Sequence, residues 1–353
     1  MDVPRTDCSP ARAQAEVTRM NTRPSLVDVA RRARVNISTV SRTINQTGKI
    51  GQKTQEKVRR VMREMNYKPN RVARRLRTRE GKSNLLGLII PNIQNPFFAD
   101  LARGVEDVAY ANNFSALFCN YDEDPKKELF YLDIMQAESV DGIILAPIHE
   151  NDPAVLQVVQ NGTPIVCVDR SLSDAVLDKV EVDNRRGAFE AVEYLIGLGH
   201  RHIGLIGGPA DSSTGRERVA GYNAAHAKAG VPIKSKYVRF GDYRTESGRR
   251  LAEELLSEAE PPSALFVCNC LMLVGALGTI YEKGLRIPDQ IAIIGFDELP
   301  LAGVFNPPLT VIRQPAYDVG KCAAELMIKR LDGPNRAPTS ITLSPELIIR
   351  KSC

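Results

Sequence analysis

From residue 85 onward, short apolar runs alternate with segments in which apolar residues recur at helical spacing. The runs predict nine strands, LLGLIIP, SALFCN, GIILAP, IVCVD, KVEVD, HIGLIGG, YVRFGD, ALFVCN and IAIIGFD. The segments between them predict helices near 97–112, 126–138, 185–198, 216–229, 245–258, 271–284 and 316–331. This alternation is typical of parallel sheets with helices on both faces. Nine strands are too many for one small doubly wound domain, so we expect two similar lobes.

The segment before residue 67 has helical periodicity without strand patterns. Ser25 and Asp28 form a capping-box pattern that predicts a first helix from Leu26, with a stripe of small apolar residues after it. Asn36 is a favourable N-cap for a second helix, which begins at Ile37. Two short helices joined by a tight turn predict a helix-turn-helix.

The stretch NISTVSRTINQ, 36–46, forms most of this second helix. Val40 and Ile44 are four residues apart and are predicted to face inward, which leaves small polar residues and Arg42 outside. A third helix is predicted from KTQEKVRRVMREMNY, whose apolar positions share one face, and it would close a three-helix head.

The segment NRVARRLRTR follows Pro69 and predicts one or two helical turns capped by Asn70. An arginine-rich helix this short is only marginally stable in isolation. We therefore expect a linker that is disordered in the free protein and becomes ordered on DNA. Two interpretations of Leu76 stay open: the side chain packs on the head, or it enters a base step of the minor groove.

Charge is divided sharply along the chain. Residues 22–82 contain 18 Lys or Arg and 4 Asp or Glu, whereas residues 83–353 contain 26 basic and 35 acidic residues. A basic head on an acidic body indicates that the head binds a polyanion, and together with the helix pattern this favours DNA.

Several predicted strands of the body end in a polar or turn residue, and parallel strands bind ligands beyond their carboxyl ends. Facing lobes would bring such residues together across a cleft, where Asp, Asn and Arg suit hydroxyls or a carboxylate, although each one alone also fits an ordinary turn. The residues concerned are Asn92, Asn120, Pro147, Asp169, Asp183, Asn269 and Asp297.

Enzyme, metal and membrane signals are weak. GLIGGPADSSTG lacks the spacing of a dinucleotide or phosphate loop, and no nucleophile elbow appears. Cys268 and Cys270 are predicted to share one strand face and could offer two thiolates, but no second pair completes a zinc site. We therefore expect no catalytic residues, cofactor or metal. No apolar run reaches about 18 residues, and we expect residues 1–21 to be a disordered leader, with Met20 an alternative start.

Taken together, these motifs resemble the lactose/galactose repressor (LacI/GalR) family of bacterial transcription factors. The resemblance covers 25–350 and is carried by LVDVARRARVNISTVSRTIN in the head, NYKPNRVARRL in the linker, and NPFFADLARGVE, VDGIILAP, GHRHIGLIGGP, RERVAGY, GDYRTESG, IAIIGFDELPLAG and PPLTVIRQP in the body.

The resemblance implies an all-α helix-turn-helix head joined by a hinge helix to an α/β periplasmic-binding-protein-like core of two doubly wound lobes. The expected divisions are 22–69 for the head, 70–82 for the hinge and 83–353 for the core. Lobe one would comprise about 84–182 plus 313–335, and lobe two about 183–312 plus 336–350. It further implies a cytoplasmic, nucleoid-associated homodimer that binds a pseudo-palindromic operator in double-stranded DNA and a small effector.

Site residues are also implied by the resemblance. In the head, Ile37, Ser38 and Arg42 would contact bases, and Thr39, Ser41 and Asn45 would hold phosphates or the helix start. In the hinge, the DNA-binding residues would be Asn70, Arg71, Arg74 and Leu76. In the cleft, the effector-binding residues would be Phe97, Phe98, Asp169, Ser212, Arg218, Tyr243, Asn269, Asp297 and Gln314.

One departure concerns NCLMLVGAL, where Cys270 stands in place of the family's usual Asp. This removes a charge near the cleft, so the effector cannot be copied from a relative. We expect a repressor released by a sugar or sugar acid. The alternatives are a co-repressed regulator with a purine or nucleoside effector, and a periplasmic-type sugar-binding protein without DNA binding.

Overall fold

The computed structural model describes residues 24–45, 47–67, 83–173 and 177–353. It divides into two compact units at Ser83, a helical head and an α/β core. The predicted hinge residues Asn70, Arg71, Arg74 and Leu76 lie outside the described residues, as does the predicted leader 1–21.

The described residues of the head form three helices, α1 (Leu26–Ala33), α2 (Ile37–Asn45) and α3 (Gln52–Glu64). The capping box that opens α1 is confirmed, because Ser25 N donates to Asp28 Oδ2 at 3.0 Å and Asp28 N donates to Ser25 Oγ at 3.3 Å. Val40 of α2 is fully buried and packs with residues of α1 and α3, so the predicted inward face of α2 is also confirmed.

The first lobe is built on a six-stranded sheet in the order β11-β5-β4-β3-β1-β2, with all pairs parallel. Its elements are β1 (Leu85–Ile90), α4 (Pro96–Ala111), β2 (Ser115–Asn120), α5 (Pro125–Ala137), β3 (Gly142–Leu145), α6 (Pro153–Gln160), β4 (Ile165–Val168), β5 (Asp178–Val182), α11 (Ala316–Asp332) and β11 (Ser340–Leu343).

The second lobe repeats this arrangement in a sheet of order β12-β10-β9-β8-β6-β7, in which only the β10–β12 pair is antiparallel. Its elements are α7 (Asn184–Gly197), β6 (Ile203–Gly207), α8 (Ser213–Ala229), a 3₁₀ turn (Ser235–Tyr237), β7 (Val238–Phe240), α9 (Thr245–Leu256), β8 (Ala264–Val267), α10 (Cys270–Glu282), β9 (Ala292–Phe296), β10 (Thr310–Arg313) and β12 (Glu346–Ile348).

The chain crosses between the lobes after β5, after β10 and after β11. The expected division placed 336–350 in lobe two. This holds for β12, which pairs with β10, but not for β11. β11 instead pairs with β5 in the first sheet, in a register that joins Ser340 to Lys179 and Leu343 to Val182. The alternating exposed and half-buried residues of β11 are typical of an edge strand, whose short apolar pattern gave no sign of its partner.

One further expectation needs correction, and several elements were not predicted. Cys268 and Cys270 do not share a strand face, because β8 ends at Val267 and Cys270 is the first residue of α10. Asn269 between them is the N-cap of that helix and turns the chain. The helix α6 and the strands β10 to β12 were not predicted, because their apolar runs are short.

Close packing of α4 against α11 depends on glycine. A Cβ at Gly104 of α4 would lie 2.1 Å from the carbonyl oxygen of Tyr317, and one at Gly320 of α11 would lie 1.9 Å from that of Leu101. Backbone atoms cannot move aside as a flexible side chain can, so the two helices meet only where Cβ atoms are absent.

We therefore expect Gly104→Ala to lower the free energy of unfolding of the core by about 1–3 kcal/mol through overpacking. Gly197→Ala is the matched control: a Cβ there meets nothing within 4 Å, so helix propensity raises stability by up to about 1 kcal/mol. Urea denaturation followed by circular dichroism measures both. Equal stability of the two variants would contradict this account of the α4–α11 contact.

Candidate functional sites

The second helix of the head has one buried and one exposed face. Val40 and Thr43 are buried, whereas Ile37, Ser38 and Arg42 are exposed. Ile37 is unusual, because 43% of this apolar side chain is exposed at the start of the helix. Small side chains beside an arginine let a helix lie close to a groove while the guanidinium reaches a base edge.

The turn before α2 is held by Asn36. Its Oδ1 accepts from Ser38 N at 3.0 Å and from Ser38 Oγ at 2.9 Å, so the predicted N-cap is confirmed. At the end of α1, Arg34 lies in the left-handed region with φ 51°, which reverses the chain direction. Thr39 and Ser41 are half-buried, and Thr43 Oγ1 donates back to the Thr39 carbonyl at 2.8 Å.

The core contains a cleft of about 570 Å³ between its two lobes. This volume lies within the range of small-molecule sites. Of the residues predicted for the effector, the structure brings eight to the wall of this cleft: Phe97, Phe98, Asp169, Arg218, Tyr243, Asn269, Asp297 and Gln314. They come from both lobes, at the carboxyl ends of strands and the amino ends of helices.

Arg218 of α8 is the buried cation of the second lobe. Its Nε donates to Asn184 Oδ1 at 2.8 Å and its Nη1 to the Cys268 carbonyl at 2.6 Å, while the guanidinium carbon lies 3.8 Å from the centre of the Phe296 ring. These partners carry no charge, so the positive charge of Arg218 is fixed in direction but not neutralised by them.

Asp297 follows β9 and is 3% exposed. Gln314 Nε2 donates a short hydrogen bond to Asp297 Oδ1. The other end of the same amide, Gln314 Oε1, is buried at the cleft wall and has no hydrogen-bond partner among the described residues. The pair therefore presents acceptors to the cleft, which is suited to a ligand that brings hydroxyl or N–H donors.

Asp169 is the corresponding acid of the first lobe, and sequence patterns did not identify its neighbours. Arg170 donates from Nη1 to Glu123 Oε2 at 2.8 Å and from Nη2 to Glu123 Oε1 at 2.5 Å. The Arg170 Nε lies 3.7 Å from Asp169 Oδ2, outside hydrogen-bond range. Glu123 and Arg170 both line the cleft. Glu123 lies in a loop and Arg170 follows β4, 47 residues later, so no sequence spacing predicts that they pair.

Aromatic residues close the sides of the cleft. Phe97 and Phe98 at the start of α4 contact each other edge to face, with ring centres 5.0 Å apart. Tyr243 is 8% exposed, and its hydroxyl lies 3.2 Å from Thr214 Oγ1 and 3.4 Å from Ser212 Oγ. Thr214 lines the cleft, and the predicted residue Ser212 supports it from behind as the N-cap of α8.

Contacts between the lobes hold the cleft in a closed arrangement. Arg244 Nη2 donates to the Asp122 carbonyl at 2.9 Å, and Arg216 pairs with Glu150. At the floor, the Cys270 thiol donates to Asn95 Oδ1 at 3.2 Å. Asn95 Oδ1 also accepts from Phe97 N at 2.9 Å, so the two helix starts meet at one amide oxygen. A neutral thiol at residue 270 makes this approach possible, because a carboxylate there would face another acceptor.

Other site types are absent within the described ranges 24–45, 47–67, 83–173 and 177–353. No group of three or more His, Cys, Asp or Glu in them could hold a metal ion. No helix of the same residues is long and apolar enough to cross a bilayer.

Two family models match parts of the chain. Residues 25–70 match the family model described as bacterial regulatory proteins, lacI family, and 192–353 match the periplasmic binding protein-like domain. The chain is 36% identical over 331 residues to the HTH-type transcriptional regulator DegA of Bacillus subtilis (strain 168), an alignment that covers 93% of this chain and 97% of DegA.

Two solved structures are similar over most of the chain. The lac repressor dimer bound to operator and the anti-inducer ONPF is 26% identical, with 94% of this chain and 99% of that chain covered and a TM-score of 0.82. The complex of the transcriptional regulator CelR with cellobiose is 30% identical, with coverages of 94% and 100% and a TM-score of 0.72. The chain therefore belongs to the LacI family of bacterial regulatory proteins and is a DNA-binding transcriptional regulator, not an enzyme.

Proposed function

We propose that this chain is a homodimeric cytoplasmic repressor that leaves its operator when a sugar or sugar acid binds the cleft. The observation that carries the effector part is the cleft itself. Acceptors at Asp297 and Gln314 face it from the second lobe, beside the donor Arg218. Sugar hydroxyls both donate and accept, so they match such a mixed wall.

Dimerisation is supported by the likeness to a solved repressor. The similar lac repressor structure is a dimer on its operator, and two heads at half-site spacing would read a pseudo-palindrome.

The proposed mechanism couples effector binding in the cleft to DNA binding by the head. Effector binding stabilises the closed cleft, which changes the relation of the two first lobes and disfavours pairing of the hinge segments, 70–82, on DNA. A coupling of about 1–3 kcal/mol, or roughly 5- to 150-fold in affinity, is sufficient. Within the hinge, Asn70, Arg71, Arg74 and Leu76 are proposed to contact the minor groove.

DNA readout by α2 gives the first test. Arg42→Ala should lower the preference for the operator of the chain's own promoter over random duplex by about 1–3 kcal/mol, because the base contact is lost. Arg60→Ala is the control, since it removes one positive charge from α3, where Arg60 already pairs with Glu64. Fluorescence anisotropy against salt concentration measures both. Wild-type protein that shows no operator preference would refute the proposal.

The hinge gives a second test. Leu76→Ala should weaken operator binding and leave effector affinity unchanged, because the proposed contact is with a base step and not with the cleft. Unchanged operator affinity would favour the alternative in which Leu76 packs on the head.

The effector is tested by thermal shift with sugars and sugar acids. A compound at about 100 times its Kd adds about 2.7 kcal/mol of stability. Arg218→Lys should abolish that shift, because lysine keeps the charge but loses the two directed hydrogen bonds to Asn184 and Cys268. The rim variant Arg216→Lys should retain it. No shift with any sugar, or an undiminished shift in Arg218→Lys, would contradict the assignment.

A further inference from the structure

Asp169 and Asp297 occupy equivalent positions in the two lobes. Each directly follows the third strand from one end of its sheet, β4 in the first lobe and β9 in the second. Both have a left-handed backbone, with φ 63° for Asp169 and 75° for Asp297. The fold repeat therefore directs one carboxylate from each lobe into the same cleft.

Both carboxylates are deeply buried in this closed arrangement. Asp169 is 7% exposed and Asp297 is 3% exposed, and neither has a guanidinium within hydrogen-bond range. Arg170 directs its two terminal nitrogens to Glu123, and Arg218 directs two of its nitrogens to neutral acceptors. Among the five groups Glu123, Asp169, Asp297, Arg170 and Arg218, three carboxylates thus face two guanidiniums, an imbalance that burial makes costly.

Opening the lobes would remove most of this cost, because it returns the cleft to water. Asp169, Arg170 and Glu123 belong to the first lobe, whereas Asp297 and Arg218 belong to the second. Closure therefore removes water from around Asp169. It also brings Asp297 and Arg218 close, and these two groups have opposite effects on the pKa of Asp169. Other titratable groups also interact with these charges. Tyr121, Tyr243, Cys268 and Cys270 are neutral, because burial raises the pKa of each. Glu128 of the first lobe interacts with Arg170, and burial raises its pKa to about 8.

We propose that closure of the cleft takes up a proton at Asp169, which makes the closed arrangement sensitive to pH. The proton neutralises an acid whose nearest guanidinium nitrogen, Arg170 Nε, lies 3.7 Å away and makes no hydrogen bond to it, so the cost of burying the charge is removed. The inference concerns the lobes alone and depends on neither DNA nor an effector.

The sign of the effect follows from the pKa. Burial raises the pKa of Asp169 from 3.8 to about 6; Arg170 and Arg218 oppose the rise, and Asp297 and Glu123 reinforce it. A group with a raised pKa in the closed form favours closure when protonated. The ratio of closed to open molecules is therefore highest below pH 4, falls as the pH rises to about 6, and is level above it. Two pKa units correspond to about 100-fold in this ratio.

The free-energy cost of burying a charged Asp169 also affects effector binding. At neutral pH the closed cleft holds a charged Asp169, so a compound that donates hydrogen bonds to this carboxylate offsets the cost of closure. A compound of the same size without such donors does not. Asp169 thus selects among ligands through the equilibrium between the lobes as well as by direct contact.

Single-molecule fluorescence transfer between the lobes tests the proposal on the full chain without any ligand. Dyes insensitive to pH are placed at Lys126→Cys and Glu246→Cys, exposed positions at the starts of α5 and α9 on opposite lobes. Cys8, Cys119, Cys322 and Cys353 are replaced by Ser, and excess unlabelled protein prevents transfer between labelled subunits.

We expect the ratio of closed to open molecules to fall about 10-fold between pH 5 and pH 7, as two pKa values near 4 and 6 require. In Asp169→Asn this fall is lost, and the ratio is about 100-fold above wild type at pH 7.5. All proteins compared carry His149→Gln, because His149 Nδ1 of the first lobe lies 3.7 Å from Asp211 Oδ2 of the second and would add its own pH dependence. Asp297→Asn moves the fall to lower pH, because the acid that reinforces the rise is gone. The control Glu217→Gln removes an exposed acid of α8 and keeps the wild-type profile.

Two outcomes would overturn the proposal. One is a wild-type ratio that does not change with pH, and the other is an Asp169→Asn variant that keeps the wild-type pH profile. Circular dichroism establishes that each variant is folded before its transfer is measured, and Asp297→Asn gives an independent reading if Asp169→Asn does not fold.

Discussion

Parallel strands send all their carboxyl ends to one edge of a sheet, and the cleft of this protein depends on that constraint. Both sheets place their strands in the same order, so the turn residues after β4 and β9 become opposed acids. Helix starts collect at the same edge, where Asn95 and Asn269 cap α4 and α10. The polar wall is thus a product of topology, and the side chains only decide what it binds.

The fold was largely predictable because its signals are local. Helix caps such as Ser25 and Asn36 depend on residues two or three positions away, and buried strands are continuous apolar runs. The lobe assignment of β11 was not predictable in this way. Its register with β5 joins residues about 160 positions apart, and its side chains alternate between exposed and half-buried, as the residues of many edge strands do.

The residues of the cleft also fall into two groups, those that a local sequence motif predicts and those that only the tertiary structure brings together. The family pattern locates residues that follow strands, such as Asp169 and Asp297, because their motif is continuous in sequence. It does not reveal Glu123, whose importance comes from the forked pair with Arg170 across 47 residues. Nor does it reveal the use of Cys270: the sequence shows a lost charge, whereas the structure shows a thiol that donates to the opposite lobe. Partners of buried charges are a tertiary property.

Incomplete pairing of the buried charges connects closure of the cleft with the action of an effector on DNA binding. A cleft whose buried acids were fully paired would close without a ligand and carry no signal, because an effector could add little to the closed form. Here Gln314 Oε1 is an unsatisfied acceptor, and the guanidinium nearest to Asp169 lies 3.7 Å away without a hydrogen bond, so closure leaves interactions that a ligand can complete. Differential affinity for the closed form is what an effector needs in order to act on DNA binding, and these unsatisfied groups supply it.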